Sequence, residues 1–301
     1  MKTVISIRHL TKDYGNARGV FDESLDIHEG EMMGFVGTNG SGKTTTIRCL
    51  MGFIKPTSGA VYVHGLESYK NAPIITKQIG YVPGEIAFPD LATGNDFLRS
   101  QAEFLHLSDM SHANELVKRL QLDPRAGLKR MSKGMKQKTA IVAALMANPP
   151  IIVLDEPTTG LDPLMRQAFV DIIKEEHAKG KTIFMSSHMF EEVSDTCDRV
   201  SLISDGHLID SVNVADIENR PIQEFKIEFK KSEDYERFHH EKYPIIREQE
   251  QFQQVTISIS RNEISALFES LATYDIRFIS EIRYTLSKHF QEVLKERNNV
   301  Q

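Results

Sequence analysis

Gly37-Thr38-Asn39-Gly40-Ser41-Gly42-Lys43-Thr44 stands between an apolar run, Met32 to Val36, and a helical-looking run from Thr45 to Met51. Gly37, Gly40 and Gly42 let the backbone curl so that consecutive N–H groups point at one anion, and a helix starting there adds the positive end of its dipole. Strand, glycine-rich turn, Lys-Thr and helix, in that order, are what a phosphate-binding loop requires. Lys43 offers a compact cation to the β and γ phosphates of ATP, and the Thr44 hydroxyl suits Mg2+. Thr45 is expected to cap the helix and donate to phosphate. ATP and Mg2+ are therefore the implied ligands.

Ile151-Ile152-Val153-Leu154 runs into Asp155-Glu156. Two carboxylates then lie at the carboxyl end of a buried strand, where open parallel sheets bind ligands. Successive strand residues point oppositely, so Asp155 is expected to face Mg2+, directly or through water, and Glu156 to face the attacking water as general base. His188 follows a third apolar run through Ser186-Ser187. It too belongs at the carboxyl edge, where an imidazole can hydrogen-bond the γ-phosphate and hold the water in place.

These groups converge only if the runs that carry them are neighbouring strands of one sheet. From Val4 to about Asp210, β-rich runs alternate with longer helical patterns, as in an α/β fold with a mainly parallel sheet covered by helices. Met32–Val36, Ile151–Leu154 and Thr182–Met185 read as central strands, being short, aliphatic and followed by turns. Between Pro89 and Arg130 the strand signal vanishes and Phe97, Phe104, Leu116 and Leu120 fall at helical spacings. A helical insert is expected over about 89–140. The character changes at Asn219 and Pro221, after which Phe225, Ile227 and Phe229 alternate with polar residues and Ile264, Leu267, Phe268 and Leu271 follow helical spacing. The expected division is a nucleotide-binding domain over 1–215 and a small α+β domain over 221–301, ordered βαββαβ before a final helix.

Composition excludes several alternatives. Lys and Arg number 36 against 42 Asp and Glu, a net charge of −6, so no positive field draws the chain to nucleic acid. No stretch approaches the roughly 18 consecutive apolar residues of a spanning helix, and Met1 to Leu10 lacks the continuous apolar core of a signal peptide. Cys49 and Cys197 lack metal-ligand spacing and read as buried reduced thiols of a reducing cytoplasm.

Met131-Ser132-Lys133-Gly134-Met135-Lys136-Gln137 lies between the two nucleotide halves and resembles the signature sequence of ATP-binding cassette (ABC) proteins. Further matches run in the family's order: Tyr14 with the aromatic that stacks on adenine, Gly160-Leu161-Asp162 with the loop after the catalytic glutamate, and His188 with the switch histidine. The resemblance covers roughly residues 4 to 210. It implies an ABC-type phosphate-loop ATPase with a helical signature subdomain, paired head to tail with a second copy or a close relative. Ser132 and Gly134 would then contact ATP held by the other subunit. It also implies a membrane permease as partner, peripheral attachment at the cytoplasmic face of the membrane, and export of an unidentified substrate.

Two positions depart from the family pattern. Lys133 replaces the first glycine of the signature, and Gly84, in Ile79-Gly80-Tyr81-Val82-Pro83-Gly84-Glu85, stands where the family places a glutamine that senses Mg2+ and touches the permease. Glu85, one residue later, is the expected substitute in coupling, together with Asp162. The alternatives are a soluble ABC-type ATPase without a permease, whose coiled coils, zinc fingers or second cassette are missing, and a module that binds ATP without hydrolysis, against which Glu156 and His188 argue.

Overall fold

A computed structural model describes residues 2–300, so Met1 and Gln301, the outer ends of the two expected domains, lie outside the described residues. The chain divides into two compact units, Met1–Val214 and Ala215–Gln301.

The first unit opens with β1 (Thr3–Asp13), β2 (Gly19–His28) and β3 (Met32–Val36), followed by α1 (Lys43–Leu50), β4 (Ser58–Val63), β5 (Leu66–Glu67), α2 (Ala72–Ile75) and β6 (Ile79–Val82). Three helices follow, α3 (Gly94–Phe104), α4 (Ser111–Arg119) and α5 (Lys133–Leu145). The helical region thus starts and ends later than the 89–140 read from sequence. Thr93 and Asp96 form a reciprocal cap that starts α3, and Ser132 caps α5. The unit continues through β7 (Ile151–Asp155), α6 (Pro163–Ala178), β8 (Thr182–Ser187), α7 (Phe190–Ser194), β9 (Arg199–Ser204) and β10 (His207–Asn213).

Two sheets result. One is antiparallel, ordered β2-β1-β4-β5; the other is ordered β10-β9-β3-β8-β7-β6 and is parallel except for the β9–β10 hairpin. Every residue of β3, β7 and β8 is buried, which is why Met32–Val36, Ile151–Leu154 and Ile183–Met185 read as mainly apolar runs. Ile5, Ile7 and Leu10 of the first sheet share a core with Ile47 and Leu50 of α1 and with Phe35, Val153 and Phe184 of the second. That shared core clamps α1 and the loop preceding it.

The second unit begins within α8 (Val214–Glu218) and follows the order β11 (Ile222–Phe229), α9 (Ser232–Phe238), β12 (Ile245–Gln249), β13 (Gln254–Ser260), α10 (Ile264–Leu271), β14 (Ile276–Ile282) and α11 (Leu286–Val300). Its sheet is antiparallel, ordered β12-β13-β11-β14. Phe225, Ile227, Phe229, Val255 and Ile257 meet Phe238, Leu267 and Leu271 in a separate core. Alternation along β11 puts its apolar residues on one face, and the helices cover that face.

Candidate nucleotide-binding site

The strand order sets out the site. The turns leaving β9, β3, β8, β7 and β6 follow one another along the carboxyl edge of the six-stranded sheet, carrying Asp205, the 37–42 loop, His188, Asp155 with Glu156, and Gly84 in that sequence. Ligands of open α/β sheets bind at such an edge.

The loop after β3 needs its glycines. Gly40 and Gly42 adopt φ of 83° and 118°, left-handed values that other residues rarely hold. A Cβ on Gly37 would stand 2.3 Å from the Ile203 carbonyl oxygen. Gly42 is the N-cap of α1 and no side chain caps the helix, so its first N–H groups face the cleft side of the loop. Thr45 therefore does not cap, contrary to the sequence expectation. The helix starts two residues earlier, at Lys43, through the glycine backbone, and Thr45 lies within its first turn.

Lys43 is only 4% exposed, and its Nζ donates to the carbonyls of Gly37 at 2.9 Å and Thr38 at 3.1 Å. The same ammonium lies 3.3 Å from Glu156 Oε1, and Glu156 Oε2 lies 3.2 Å from His188 Nδ1. One carboxylate thus joins the loop after β3 to the loop after β8. The expected strand alternation of Asp155 and Glu156 fails, because β7 ends at Asp155 and Glu156 has φ 48°. A left-handed turn, held by Glu156 N–H bonds to the Ser186 carbonyl at 3.2 Å and hydroxyl at 3.1 Å, aims its side chain instead.

Ser186 also donates to Asp155 Oδ1 at 2.6 Å, while Asp155 Oδ2 is buried without a hydrogen-bond partner among the described residues. A buried carboxylate oxygen with no partner is costly unless something satisfies it. Mg2+ takes oxygen donors and keeps several waters, binding through one or two carboxylates beside substrate phosphates. Asp155 and the Thr44 hydroxyl fit that demand, even though among the described residues no group of three or more His, Cys, Asp or Glu side chains is placed to hold a metal ion by itself. A Cβ on Gly84 would lie 3.2 Å from Asp155 Oδ2, so the glycine passes tightly beside the orphaned oxygen.

A cleft of about 450 Å³ runs along the loop, lined by Asn39, Gly40, Gly42, Lys43, Thr44, Thr45 and Glu156, and also by Tyr14, Ala17, Arg18, Gly19, Asp205 and Gly206. Tyr14 is 54% exposed, with the Lys12 ammonium 5.3 Å from its ring centre, so a ring face is open to stacking. Ser41, buried, has a hydroxyl without a hydrogen-bond partner among the described residues. Of the other expected site residues, Gly37, Thr38, Ser41, Asp155 and His188 do not line this cleft, and neither do Ser132, Gly134, Gly84, Glu85 and Asp162. Ser132 Oγ instead accepts from Met135 N–H at 3.2 Å, and Asp162 Oδ1 accepts from Met165 N–H at 3.0 Å, each capping a helix. Gly134 packs so closely on Gly160 that a Cβ would stand 2.7 Å from its carbonyl oxygen.

Sequence reasoning missed Ser186, which orients both carboxylates, and Arg18, Gly19, Asp205 and Gly206 in the cleft wall. The Asp205-Gly206 pair between apolar runs is a hairpin signal that locates the turn but not the cleft it faces. The fold and site together define a phosphate-loop nucleotide-binding cassette.

The sequence pattern of the ABC transporter family matches residues 20–159. The bacitracin transport ATP-binding protein BcrA of Bacillus licheniformis is 34% identical over 235 residues, 75% of this chain and 76% of that one. The ABC transporter ATP-binding protein YhcH of Bacillus subtilis is 30% identical over 306 residues, covering 98% of this chain and 97% of its own. Among solved structures, a dimeric post-hydrolysis state of the ATP-binding cassette MJ0796 bound to ADP and Pi matches with TM-score 0.62 and 26% identity, over 70% of this chain and 98% of that one. The chain belongs to the ATP-binding subunits of ABC transporters. Among its described residues no helix is long and apolar enough to cross a membrane.

Proposed function

We propose that this chain hydrolyses ATP as one half of a two-cassette dimer and so powers export of a substrate through a separate membrane permease. The observation that carries the reading is the contact chain Lys43–Glu156–His188, 3.3 and 3.2 Å long, beside a glycine loop that no side chain caps. Likeness to a bacitracin transport ATP-binding protein supports a transporter, and the dimeric cassette with ADP and Pi supports a paired site.

In this mechanism the loop N–H groups and Lys43 hold the β and γ phosphates, with Tyr14 stacking on the adenine. Asp155 and Thr44 would hold Mg2+, which would offset the negative charge of the phosphates. Glu156 takes a proton from water as the water oxygen bonds to the γ-phosphorus and the bond to the ADP oxygen breaks. His188 hydrogen-bonds the γ-phosphate and keeps Glu156 in line. Ser132 and the Gly134 N–H, at the amino end of α5, act on ATP held by the other cassette. Glu85 and Asp162 pass the change on to the permease and the second cassette.

Glu156→Gln tests the reading. The amide keeps the shape but takes no proton, so turnover should fall at least about 100-fold while ATP affinity holds and ATP-loaded dimer accumulates in size-exclusion chromatography. Hydrolysis at the parental rate would remove Glu156 from the role of base. Copurification in mild detergent should recover a membrane protein with the chain; recovery of the chain alone favours a soluble ATPase.

A further inference from the structure

Asp205 and Gly206 form the two-residue turn between β9 and β10, with φ of 49° and 75°. Two left-handed residues in a hairpin turn suit an Asp-Gly pair. The turn is bonded to the phosphate loop and its flank. Gly206 N–H donates to the Ser41 carbonyl at 2.9 Å, and the Gly206 carbonyl accepts from Phe21 N–H at 2.7 Å. A Cβ on Gly206 would stand 2.4 Å from the Gly19 carbonyl oxygen, so the turn lies directly against the strand that follows Tyr14. The buried Ser204 hydroxyl donates to Asp205 Oδ2 at 3.0 Å and orients the carboxylate. Asp205 itself is exposed and lines the nucleotide cleft together with Tyr14 and Lys43.

We propose that Asp205 is a specificity residue whose carboxylate accepts hydrogen bonds from the ribose hydroxyls of the bound nucleotide. The inference rests on the nucleotide reading above. The cleft wall contributes two carboxylates, and Glu156 is tied to Lys43 and His188 at the phosphate end. Asp205 is the other. The groups of a nucleotide that a carboxylate can accept from are the sugar hydroxyls and the amine of adenine. The amine lies at the far edge of a base stacked on Tyr14, whereas the turn is bonded to Ser41 within the phosphate loop. A carboxylate held there meets the unit that joins phosphate to base. Carboxylates at the edge of α/β sheets pair with ribose hydroxyls for the same chemical reason.

The test uses the full chain and nucleotide diphosphates, so that no turnover is needed. Calorimetric affinities are compared for ADP, 2′-deoxy-ADP, 3′-deoxy-ADP and GDP, in the parent, Asp205→Gly and Asp205→Asn. Glycine and asparagine both tolerate the left-handed turn, so the fold should persist, with an unchanged melting temperature as the check. The parent should prefer ADP over each deoxy nucleotide by roughly threefold to tenfold, the net range of an ordinary hydrogen bond, since solvent at this exposed site weakens the charge assistance. Asp205→Gly should erase that preference, with a smaller loss of affinity for each deoxy nucleotide, which keeps one hydroxyl, than for ADP, and Asp205→Asn should keep part of it. A preference that survives in Asp205→Gly, an equal loss for ribo and deoxy nucleotides, or a change confined to GDP would each overturn the assignment. Lys43→Ala separates the two readings. If that variant binds ADP as tightly as the parent, the site itself is misplaced; if it does not and the ribose preference still ignores Asp205, only this inference fails.

Discussion

Ser186 is the residue on which the acidic end of the site turns. Its hydroxyl donates to Asp155 and accepts from the Glu156 N–H, so one side chain sets the carboxylate proposed to hold Mg2+ and a left-handed turn together. Ser186→Ala leaves Asp155 with both oxygens unpartnered and loosens the backbone that aims Glu156. Turnover should fall about tenfold to a hundredfold, near 1.4 to 2.7 kcal/mol of barrier, with a smaller change in ATP affinity. Ser186→Thr keeps the hydroxyl on a β-branched residue suited to a strand and should recover most of the loss. Steady-state kcat and KM for the three proteins decide the matter. A uniform rise in KM at constant kcat would mean that Ser186 serves binding instead.

At the scale of elements, β2 and α1 share a buried carboxyl that the chemistry does not use. Glu23 on β2 is fully buried, its Oε2 accepts the Thr46 hydroxyl of α1 at 2.7 Å, and its Oε1 has no partner among the described residues. Burial pushes the carboxyl from its ordinary 4.5 up to about 8, against a smaller lowering by Thr46. The folded protein therefore holds the proton more tightly than the unfolded chain. Stability from this group is full below pH 4.5 and is lost as the pH rises toward about 8, after which it is flat. At about 1.4 kcal/mol per unit, the whole window is worth a few kcal/mol. Urea midpoints at pH 6 and pH 9 should fall more for the parent than for Glu23→Gln, whose amide carries no titrating proton. Equal slopes in both proteins would show that Glu23 is not the titrating group.

For the whole molecule, the arrangement of caps and cleft has a consequence for assembly. Ser132 stands outside the nucleotide cleft of its own chain, at the amino end of α5. Substituting it should leave ATP binding by the monomer intact and stop hydrolysis by the dimer. Ser132→Asp makes the cleaner test than Ser132→Arg, because aspartate still caps the helix while its charge repels a phosphate. Nucleotide affinity at dilute monomer, ATPase rate and melting temperature are the measurements. If monomer binding is lost with Ser132→Asp, the signature serves its own chain and the paired-cassette account fails. The second unit has its own sheet and core, so substitutions at Phe229 or Phe238 should lower its stability without altering Lys43 or Glu156 chemistry.

What the sequence by itself determined was local. Gly37 to Thr44, the buried strands Met32–Val36 and Ile151–Leu154, and His188 after Ser187 were legible because turn chemistry and apolar runs act over a few neighbouring residues. The alternation along Phe225, Ile227 and Phe229 was legible for the same reason. Only the tertiary structure decided which edge those pieces share, since strand order depends on packing between segments far apart in the chain. It also decided that Gly42 rather than Thr45 starts α1, and that Glu156 leaves its strand in a left-handed turn. Asp205 and Ser186 gain their significance from neighbours brought close by the β9-β3-β8-β7 order. Glu23, an acid in a strand that reads as half exposed, is buried because α1 folds over it, and no pattern along the chain records that contact.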